Sequence, residues 1–457
     1  MRMLSFNRFV VLCFCVMLSS ICTAFALAPH EVFVLANRNE ATSVRIARAY
    51  MQKRQIPRQN LLLLEIQPND DGHYVGITRN DFTRQIWQPA QDALARRNLD
   101  HILAWVFSTH IPYRVDFDPA LSVQGLVYVR DQIPPSDAIA KAEYISPLFA
   151  GPSRPDGPAY PARSFQLLAA SLHKNMPIPA MALGYIGPRG NTESEVMEML
   201  ERSRAADASA PSGTIYFVTG DDVRARVREW QFAPVHEHLA TMGVHTLVTN
   251  SPPHASEAIL GVMMGARDVD PEAMGTYLPG AFAEHLTSYG AVFDQSSQTK
   301  VTDWIGAGAS ATVGTVTEPY AIWAKFPHAR FYEHYHAGTS LLESLYLSIR
   351  TPLQSFMIGD PLMTPWALGN DIRLAGIRNQ EVVREKRVVS PRIDGSDAHA
   401  YSRFIYLLNG VVVSVGRTFV LDPAELDSGL HELRVVAYRE GNVTYPITDW
   451  VRFQITP

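Results

Sequence analysis

The stretch of sequence that decides the fold spans residues 278–366 and combines many glycines with hydroxyl side chains and isolated charges. It reads LPGAFAEHLTSYG (278–290), AVFDQSSQTK (291–300), VTDWIGAGAS (301–310) and ATVGTVTEPY (311–320), and it closes on SFMIGDPLMTPW (355–366). Glycines between apolar runs are typical of turns in which the backbone approaches another group closely, because glycine alone tolerates the backbone angles required. We therefore expect the floor of any functional site to lie here.

Upstream of this stretch, buried strands alternate with helical patterns. Strands are predicted at 31–36, 61–66 and 101–107, and helices begin at Thr42 or Ser43 and at Asp81. Pro89 should kink or divide the second helix. Continuous apolar strands separated by helices indicate a mostly parallel sheet with helices on both faces.

The same rhythm continues beyond a proline-rich segment at 131–163, which is predicted to be an insertion or lid, or else an extended strap. The pattern predicts strands at 214–219, 244–249, 258–264, 291–293, 311–316 and 355–358, and helices at 193–204, at 279–287 and after a capping box at Ser340.

The composition changes after about residue 370. Two apolar runs flank Asn409-Gly410, a pair that favours a type I′ hairpin turn, and later runs alternate with period two. We therefore predict an α/β domain at 27–370 and a small antiparallel, immunoglobulin-like β-sandwich at 371–457.

The first 26 residues have the features of a signal peptide. Two arginines precede the apolar run FVVLCFCVMLSSI (9–21), which is too short to span a bilayer, and Ala24-Phe25-Ala26 fits an A-x-A cleavage site. Cleavage there makes Leu27 the new N-terminus; a cut after Ala28 and an uncleaved anchor are the alternatives. The chain is therefore expected to be exported to the periplasm or the cell exterior.

Export decides how the cysteines are interpreted. All three, Cys13, Cys15 and Cys22, lie in the predicted leader, so the exported chain has no disulfide, thiol nucleophile or thiolate metal site. The net charge of -5 becomes more negative when the two leader arginines are removed. An acidic chain without a basic cluster argues against a nucleic-acid partner, and no later apolar run approaches the length of a membrane span.

Five residues are candidates for chemistry. His110 follows the third strand, where open α/β sheets place ligands, and His285 lies in the opening stretch with the three acids Asp294, Glu318 and Asp360. Carboxylates brought close together can perform acid–base chemistry. Each also has a structural interpretation: loop hydrogen bonding for His110, packing for His285, and turn or loop stabilisation for the acids.

Other motifs are discounted. The glycines of GAGASA (306–311) match a dinucleotide-binding turn in letters, but a helix-like segment precedes them, so no cofactor is predicted. His334 and His336 are too close in sequence to face one side of a helix, and no metal site is predicted. Ser296, Ser297 and Ser310 lie in loops without a G-x-S-x-G motif.

Three motifs carry a resemblance: DQSSQTK (294–300), GTVTEPY (314–320) and IGDPL (358–362). They resemble an uncharacterised family of exported bacterial proteins found in species with the exosortase sorting system. The resemblance extends over nearly the whole mature chain. It implies export and the same domain plan, but it implies no activity.

A more distant similarity is to gingipain-type peptidases of the caspase-like fold, which also carry a C-terminal immunoglobulin-like domain. Those enzymes require a histidine in a Gly-His-Gly turn and a cysteine at the end of the next strand. The corresponding position here reads MGAR (264–267), without histidine, and the mature chain has no cysteine. The similarity therefore implies the fold and not the peptidase activity.

The sequence thus predicts a non-catalytic binding or surface-associated protein on a degenerate peptidase-like fold, with a peptide, protein or glycan as partner. The alternative is a hydrolase that uses carboxylates or a serine in a cleft formed by 285–320 and 360. Convergence of the candidate residues in one cleft would favour the enzyme. Dispersal into caps and turns would favour binding.

Overall fold

The computed structural model describes residues 24–130, 132–159, 165–172, 175–255, 257–367, 371–395, 398–439, 443–444 and 446–456. The apolar core of the predicted leader lies outside these ranges, as does part of the proline-rich segment. Within them, no helix is both long enough and apolar enough to cross a membrane.

A ten-stranded, mostly parallel sheet forms the centre of the α/β region. Its strands are β1 (Val32–Asn37), β2 (Leu61–Leu64), β3 (Ala104–Phe107), β4 (Ala180–Ala182), β5 (Thr214–Val218), β6 (Thr246–Thr249), β7 (Ala258–Gly265), β8 (Thr276–Leu286), β9 (Ala311–Thr315) and β10 (Ser355–Gly359). Their order across the sheet is β6-β5-β7-β8-β9-β10-β4-β3-β1-β2. Helices cover both faces, as the strand–helix alternation predicts.

One antiparallel pair lies in the middle of this sheet. β6, β5, β7, β8 and β9 pair parallel with one another, and β10, β4, β3, β1 and β2 do the same. β9 and β10 instead pair antiparallel, with Ala311 opposite Gly359 and Thr315 opposite Ser355. Both strands of this central pair come from the glycine-rich stretch that opened the sequence.

The helices match the periodic segments closely. The α-helices are Ala41–Lys53, Arg79–Phe82, Gln88–Arg96, Val123–Val129, Ser136–Ala140, Phe165–Leu172, Glu193–Ala206, Val223–Arg226, Phe232–Thr241, Val301–Gly306, Phe331–His336 and Leu341–Ser348. Pro89 does not divide its helix: a wide π-helical segment, Thr83–Trp87, precedes the proline, and the helix continues without a break into Gln88–Arg96. The capping box at Ser340 is confirmed: its hydroxyl accepts from the amide of Glu343.

Two predicted elements are wrong. Residues 279–287, expected to be helical, lie largely within strand β8, and residues 291–293 form no strand. β8 is buried on both faces from Ala281 onward, so its sequence lacks the alternation of a half-exposed strand. Its pairing with β7 skips from Tyr277 to Phe282, which places Pro279 where the ladder needs no amide donor.

The described part of the proline-rich segment packs as a strap. Ile139 and Leu148 are buried, and the amides of Ser146 and Ala150 donate to the carbonyls of Arg350 and Leu347. Lys325 Nζ also donates to the carbonyl of Ala140 at 2.8 Å. These contacts attach residues 132–159 to the last helix of the α/β region and favour a strap over an open lid.

The C-terminal region consists of two small sheets around a separate apolar core. Its strands are β11 (Ile372–Ala375), β12 (Glu381–Val383), β13 (Arg387–Ile393), β14 (Tyr401–Leu408), β15 (Val411–Val415), β16 (Phe419–Leu421), β17 (Gly429–Arg439) and β18 (Pro446–Ile455). The sheet orders are β11-β13-β16 and β12-β18-β17-β14-β15. Asn409 and Gly410 have φ of 49° and 71°, which confirms the predicted hairpin turn.

A buried ion pair joins β8 to the segments beside it. Arg228 lies 2.5 Å from Glu284, and the two side chains are 1% and 0% exposed. Arg228 also donates to the carbonyls of Met264 and Pro327, at 3.3 and 2.9 Å. Burial raises the pKa of Glu284 to about 7, although Arg228 opposes this shift.

We predict that Arg228→Met will lower the free energy of unfolding by about 3–5 kcal/mol, because it leaves a buried carboxylate without its partner. Urea denaturation followed by circular dichroism measures this change. The double replacement Arg228→Met/Glu284→Leu should recover most of the loss, and Arg224→Met, which removes a more exposed pair with Asp222, should cost little. Equal losses in the single and double variants would contradict this account.

Candidate functional site

The segments that follow β3, β4 and β8 meet in an aromatic cluster. Tyr185 stacks on Phe293 with ring centroids 4.1 Å apart, and Tyr113 packs edge-on against both rings. Phe356, at the start of β10, contacts Tyr113 and Phe293. This is the place where open α/β sheets bind ligands, so it was the first candidate site.

Asp294 lies on top of this cluster and is fully engaged. Its Oδ1 accepts from the Tyr113 hydroxyl at 2.8 Å and from Arg114 Nη1 at 3.1 Å, and its Oδ2 accepts from Arg114 Nη2 at 2.9 Å. These donors hold the pKa of Asp294 below its usual value despite partial burial, which acts in the opposite direction. Asp294 is therefore an ionised, paired carboxylate and is poorly suited to act as a proton donor.

His110 lies at the same edge and has mainly a structural role. Its φ is +56°, its backbone carbonyl accepts from Asn37 Nδ2 at 3.0 Å, and its Nδ1 is 3.2 Å from the Thr109 hydroxyl. Its Nε2 is 4.0 Å from Glu40. Burial nevertheless lowers the pKa of His110, so the ring is neutral near pH 7. The loop-bonding interpretation is the one that fits.

Glu318 follows β9 and stabilises a turn. Its Oε1 accepts from the backbone amide of Tyr320 at 2.8 Å, and Tyr320 itself has a φ of +57°. The carboxylate thus fixes a residue in the left-handed region, as the loop interpretation predicted.

Asp360 lies near a different set of residues. Its carboxylate pairs with Arg54 at the end of the first helix and accepts from the Leu362 amide. Arg54 also pairs with Asp207, which in turn accepts from the amide of Thr364. The first helix leaves the carboxyl end of β1 and runs back along the sheet, so this cluster lies at the opposite edge from Asp294.

His285 is buried within β8. Trp304 Nε1 donates to its Nδ1 at 2.9 Å, and burial lowers the pKa of His285 to about 3. The ring is therefore a neutral hydrogen-bond acceptor packed beneath an indole, and the packing interpretation applies although the predicted helix was wrong.

The five candidates thus do not form one cleft. Of the loop serines, Ser310 is buried, and its hydroxyl accepts from the amide of Gly280 at 3.0 Å. His334 and His336 lie on a short helix, not on a strand, and His334 is buried. Among the described residues, no group of three histidine, cysteine or acidic side chains could hold a metal ion.

Sequence reasoning missed a cavity of about 440 Å³ between the α/β region and the C-terminal sheets. Arg54, Asp207 and Leu362 contribute to its wall from one side, and Ile372 and Ile447 from the other. Arg54 lies in the segment RQIPRQN (54–60), whose local pattern does not indicate a cavity wall.

Comparison with known proteins leaves the chain without an assigned family. No family model and no curated protein matches it. Matching solved structures include fibronectin(III)-like modules of CbhA from Clostridium thermocellum (18% identity, 24% of this chain, 54% of that chain, TM-score 0.17). They also include an endo-beta-1,4-mannanase from Thermotoga petrophila (9% identity, 57% of this chain, 49% of that chain, TM-score 0.17). This chain thus spans about half the length of each, and the TM-scores are too low to assign a fold.

We predict that Asp294→Asn will lower the free energy of unfolding at pH 7 by about 1 kcal/mol, a small value because the pair is partly exposed. The wild-type pKa of Asp294 is depressed, so its contribution is present above about pH 4 and is lost as the pH falls through the depressed pKa. Denaturation at pH 7 and near pH 3 should therefore show the two proteins converging in acid. Glu318→Gln serves as the control; a pH-independent difference would refute the assignment.

Proposed function

We propose that this protein is an exported, non-catalytic binding protein built on a degenerate caspase- or gingipain-like α/β domain followed by an immunoglobulin-like sandwich. The observation that carries the proposal is the engagement of Asp294: Tyr113 donates to its Oδ1 and Arg114 donates to both of its oxygens. A carboxylate that is held ionised by such donors is poorly suited to general acid catalysis. The remaining candidates lie in separate structural contacts.

The export and family proposals rest on separate observations. The leader-like first 26 residues and the absence of cysteine from the rest of the chain support export. The mostly parallel sheet with flanking helices supports the caspase-like comparison, and the two small sheets around one core support the immunoglobulin-like comparison. The shared motifs support membership in the exosortase-associated family of exported proteins.

The surface best suited to binding is strand β15 of the C-terminal region. β15 lies at the end of its sheet and pairs with β14 on one side only, within the part of the chain that the structure describes. Three of its five residues are exposed valines: Val412 at 36%, Val413 at 44% and Val415 at 68%. The strand reads VVVSV and carries no charge, proline or other feature that blocks pairing.

An apolar edge strand of this kind recognises an extended polypeptide. The unpaired backbone N–H and C=O groups of β15 can form a ladder with an added strand, and the valines supply apolar contacts on both faces. A skip in the β14–β15 pairing leaves Val413 without a partner opposite it. We therefore propose an extended, apolar peptide segment of another protein as the ligand.

This proposal predicts that Val415→Lys will weaken binding to apolar extended peptides at least about tenfold, because a charge on an edge strand opposes strand addition. Binding of the secreted protein to an array of extended peptides measures the effect. Val388→Lys is the matched control, since Val388 is also an exposed strand valine but lies on β13, which has neighbours on both sides. Equal losses in both variants, or no peptide binding at all, would contradict strand addition.

A second test addresses catalysis directly. We expect the secreted protein to hydrolyse no peptide, ester or glycoside in a broad substrate screen, and Asp294→Ala to behave identically. Hydrolysis by the wild type that is lost in Asp294→Ala would overturn the non-catalytic assignment and establish the hydrolase alternative.

A further inference from the structure

Leu27, the first residue after the predicted cleavage site, is buried. Leu27 is 3% exposed and Ala28 is 0% exposed. The backbone nitrogen of Leu27 lies 2.9 Å from Glu343 Oε2, a contact between residues 316 positions apart. Ala26 is also buried, and Ala24–Phe25 pair with Val443–Thr444. The predicted cleavage site therefore lies within a packed segment, directly beside a buried carboxylate.

Only one of the two carboxylate oxygens of Glu343 accepts hydrogen bonds. Its Oε2 accepts from the Leu27 nitrogen, from the Ser340 amide at 3.1 Å and from the Ser340 hydroxyl at 2.8 Å. Its Oε1 is buried and has no hydrogen-bond partner in the described structure. Burial raises the pKa of Glu343 to about 8, so the site lacks the positive charge that would keep the acid ionised.

A second buried acid lies beside the first. Glu31 is 5% exposed, and its Oε2 accepts from the Ala28 amide at 2.8 Å and from Gln166 Nε2 at 2.9 Å. Burial raises the pKa of Glu31 to about 7, and the charge on Glu31 adds to the rise at Glu343. The two buried carboxyls accept from the adjacent backbone nitrogens of Leu27 and Ala28, and such a site is suited to a cation with several N–H donors.

We propose that cleavage between Ala26 and Leu27 creates that cation, and that the new Leu27 α-ammonium forms a buried ion pair with Glu343. Water adds across the peptide bond through a peptidase of the export machinery. The acyl carbon of Ala26 becomes a carboxylate, and the Leu27 nitrogen becomes an –NH₃⁺ group. Its additional donors give Glu343 Oε1 a partner, so removal of the leader completes the folded core.

The capping box alone does not account for this arrangement. Glu195 has the same position in the capping box of Thr192, where it accepts from the Thr192 amide at 2.8 Å. No N-terminal segment approaches Glu195 among its described contacts, and the pKa of Glu343 is the one that burial raises. The Leu27 contact is thus additional to capping, and Glu195→Gln provides a matched control.

The experiment measures the mature N-terminus and its accessibility in the secreted protein. N-terminal sequencing should give Leu27 as the first residue. An amine-reactive reagent should label the Leu27 α-amine more than about tenfold more slowly in the native than in the denatured protein, because a buried, paired ammonium is protonated and shielded. Glu343→Gln should accelerate this labelling and lower the melting temperature, whereas Glu195→Gln should leave the labelling unchanged.

A variant that retains Ala24-Phe25-Ala26 ahead of Leu27 distinguishes the effect of the ion pair from that of the helix cap, because it keeps the cap but has no free amine at Leu27. In this form the Leu27 nitrogen is an amide with a single N–H, so Glu343→Gln should cost it less stability than it costs the Leu27 form. Three results would overturn the inference. The exported protein could begin at another residue, its native α-amine could be labelled as fast as in the denatured protein, or Glu343→Gln could lower the melting temperature equally in both forms. The inference rests on the proposed export and not on the proposed peptide binding. A protein that stays in the cytoplasm would contradict the export proposal itself, whereas the outcomes above contradict only the ion pair.

Discussion

The fold depends on close backbone contact between β9 and β10, the antiparallel pair in the middle of the sheet. A Cβ added to Gly314 would lie 2.6 Å from a Val301 methyl, and one added to Gly359 would lie 2.9 Å from the Ala311 Cβ. Gly359 also has a φ of +153°. Only residues without a side chain allow the two strands and the neighbouring helix to approach this closely. The small residues of the opening stretch are thus explained by packing.

The same pair explains why the candidate acids do not meet. β10 begins beside the aromatic cluster, where Phe356 contacts Tyr113 and Phe293, and it ends at Asp360 beside Arg54. The two ends of β10 therefore lie beside different groups of residues, and Asp360 is held away from the aromatic cluster. Asp294 and Asp360 both follow apolar runs of the same stretch, yet each pairs with a different arginine: Asp294 with Arg114 and Asp360 with Arg54.

Local patterns predicted most strands and helices because those signals depend on neighbouring residues. The pairing order did not follow from them, because it depends on contacts such as Arg114 with Asp294, 180 residues apart. β8 was predicted as a helix because burial on both faces removes alternation, and Pro279 falls in an irregular part of the ladder. The structural roles of His110 and Glu318 were predictable because loop hydrogen bonds are local.

The residues that the structure describes include no cysteine, so contacts between distant segments must stabilise them, and buried polar groups provide several of these contacts. Arg228 joins β8 to β7 and to the loop at Pro327. Arg54 joins the first helix to Asp207 and Asp360, and Asn60 donates to two carbonyls at the start of β1. Each contact is useful only if every partner is in place, because an unpaired buried charge costs more than the pair contributes. The N-terminal segment belongs to the same class of contact, since its backbone meets Glu343 in the core. Leu27, the residue at which the predicted leader ends, is therefore also a residue whose position the buried Glu343 carboxylate determines.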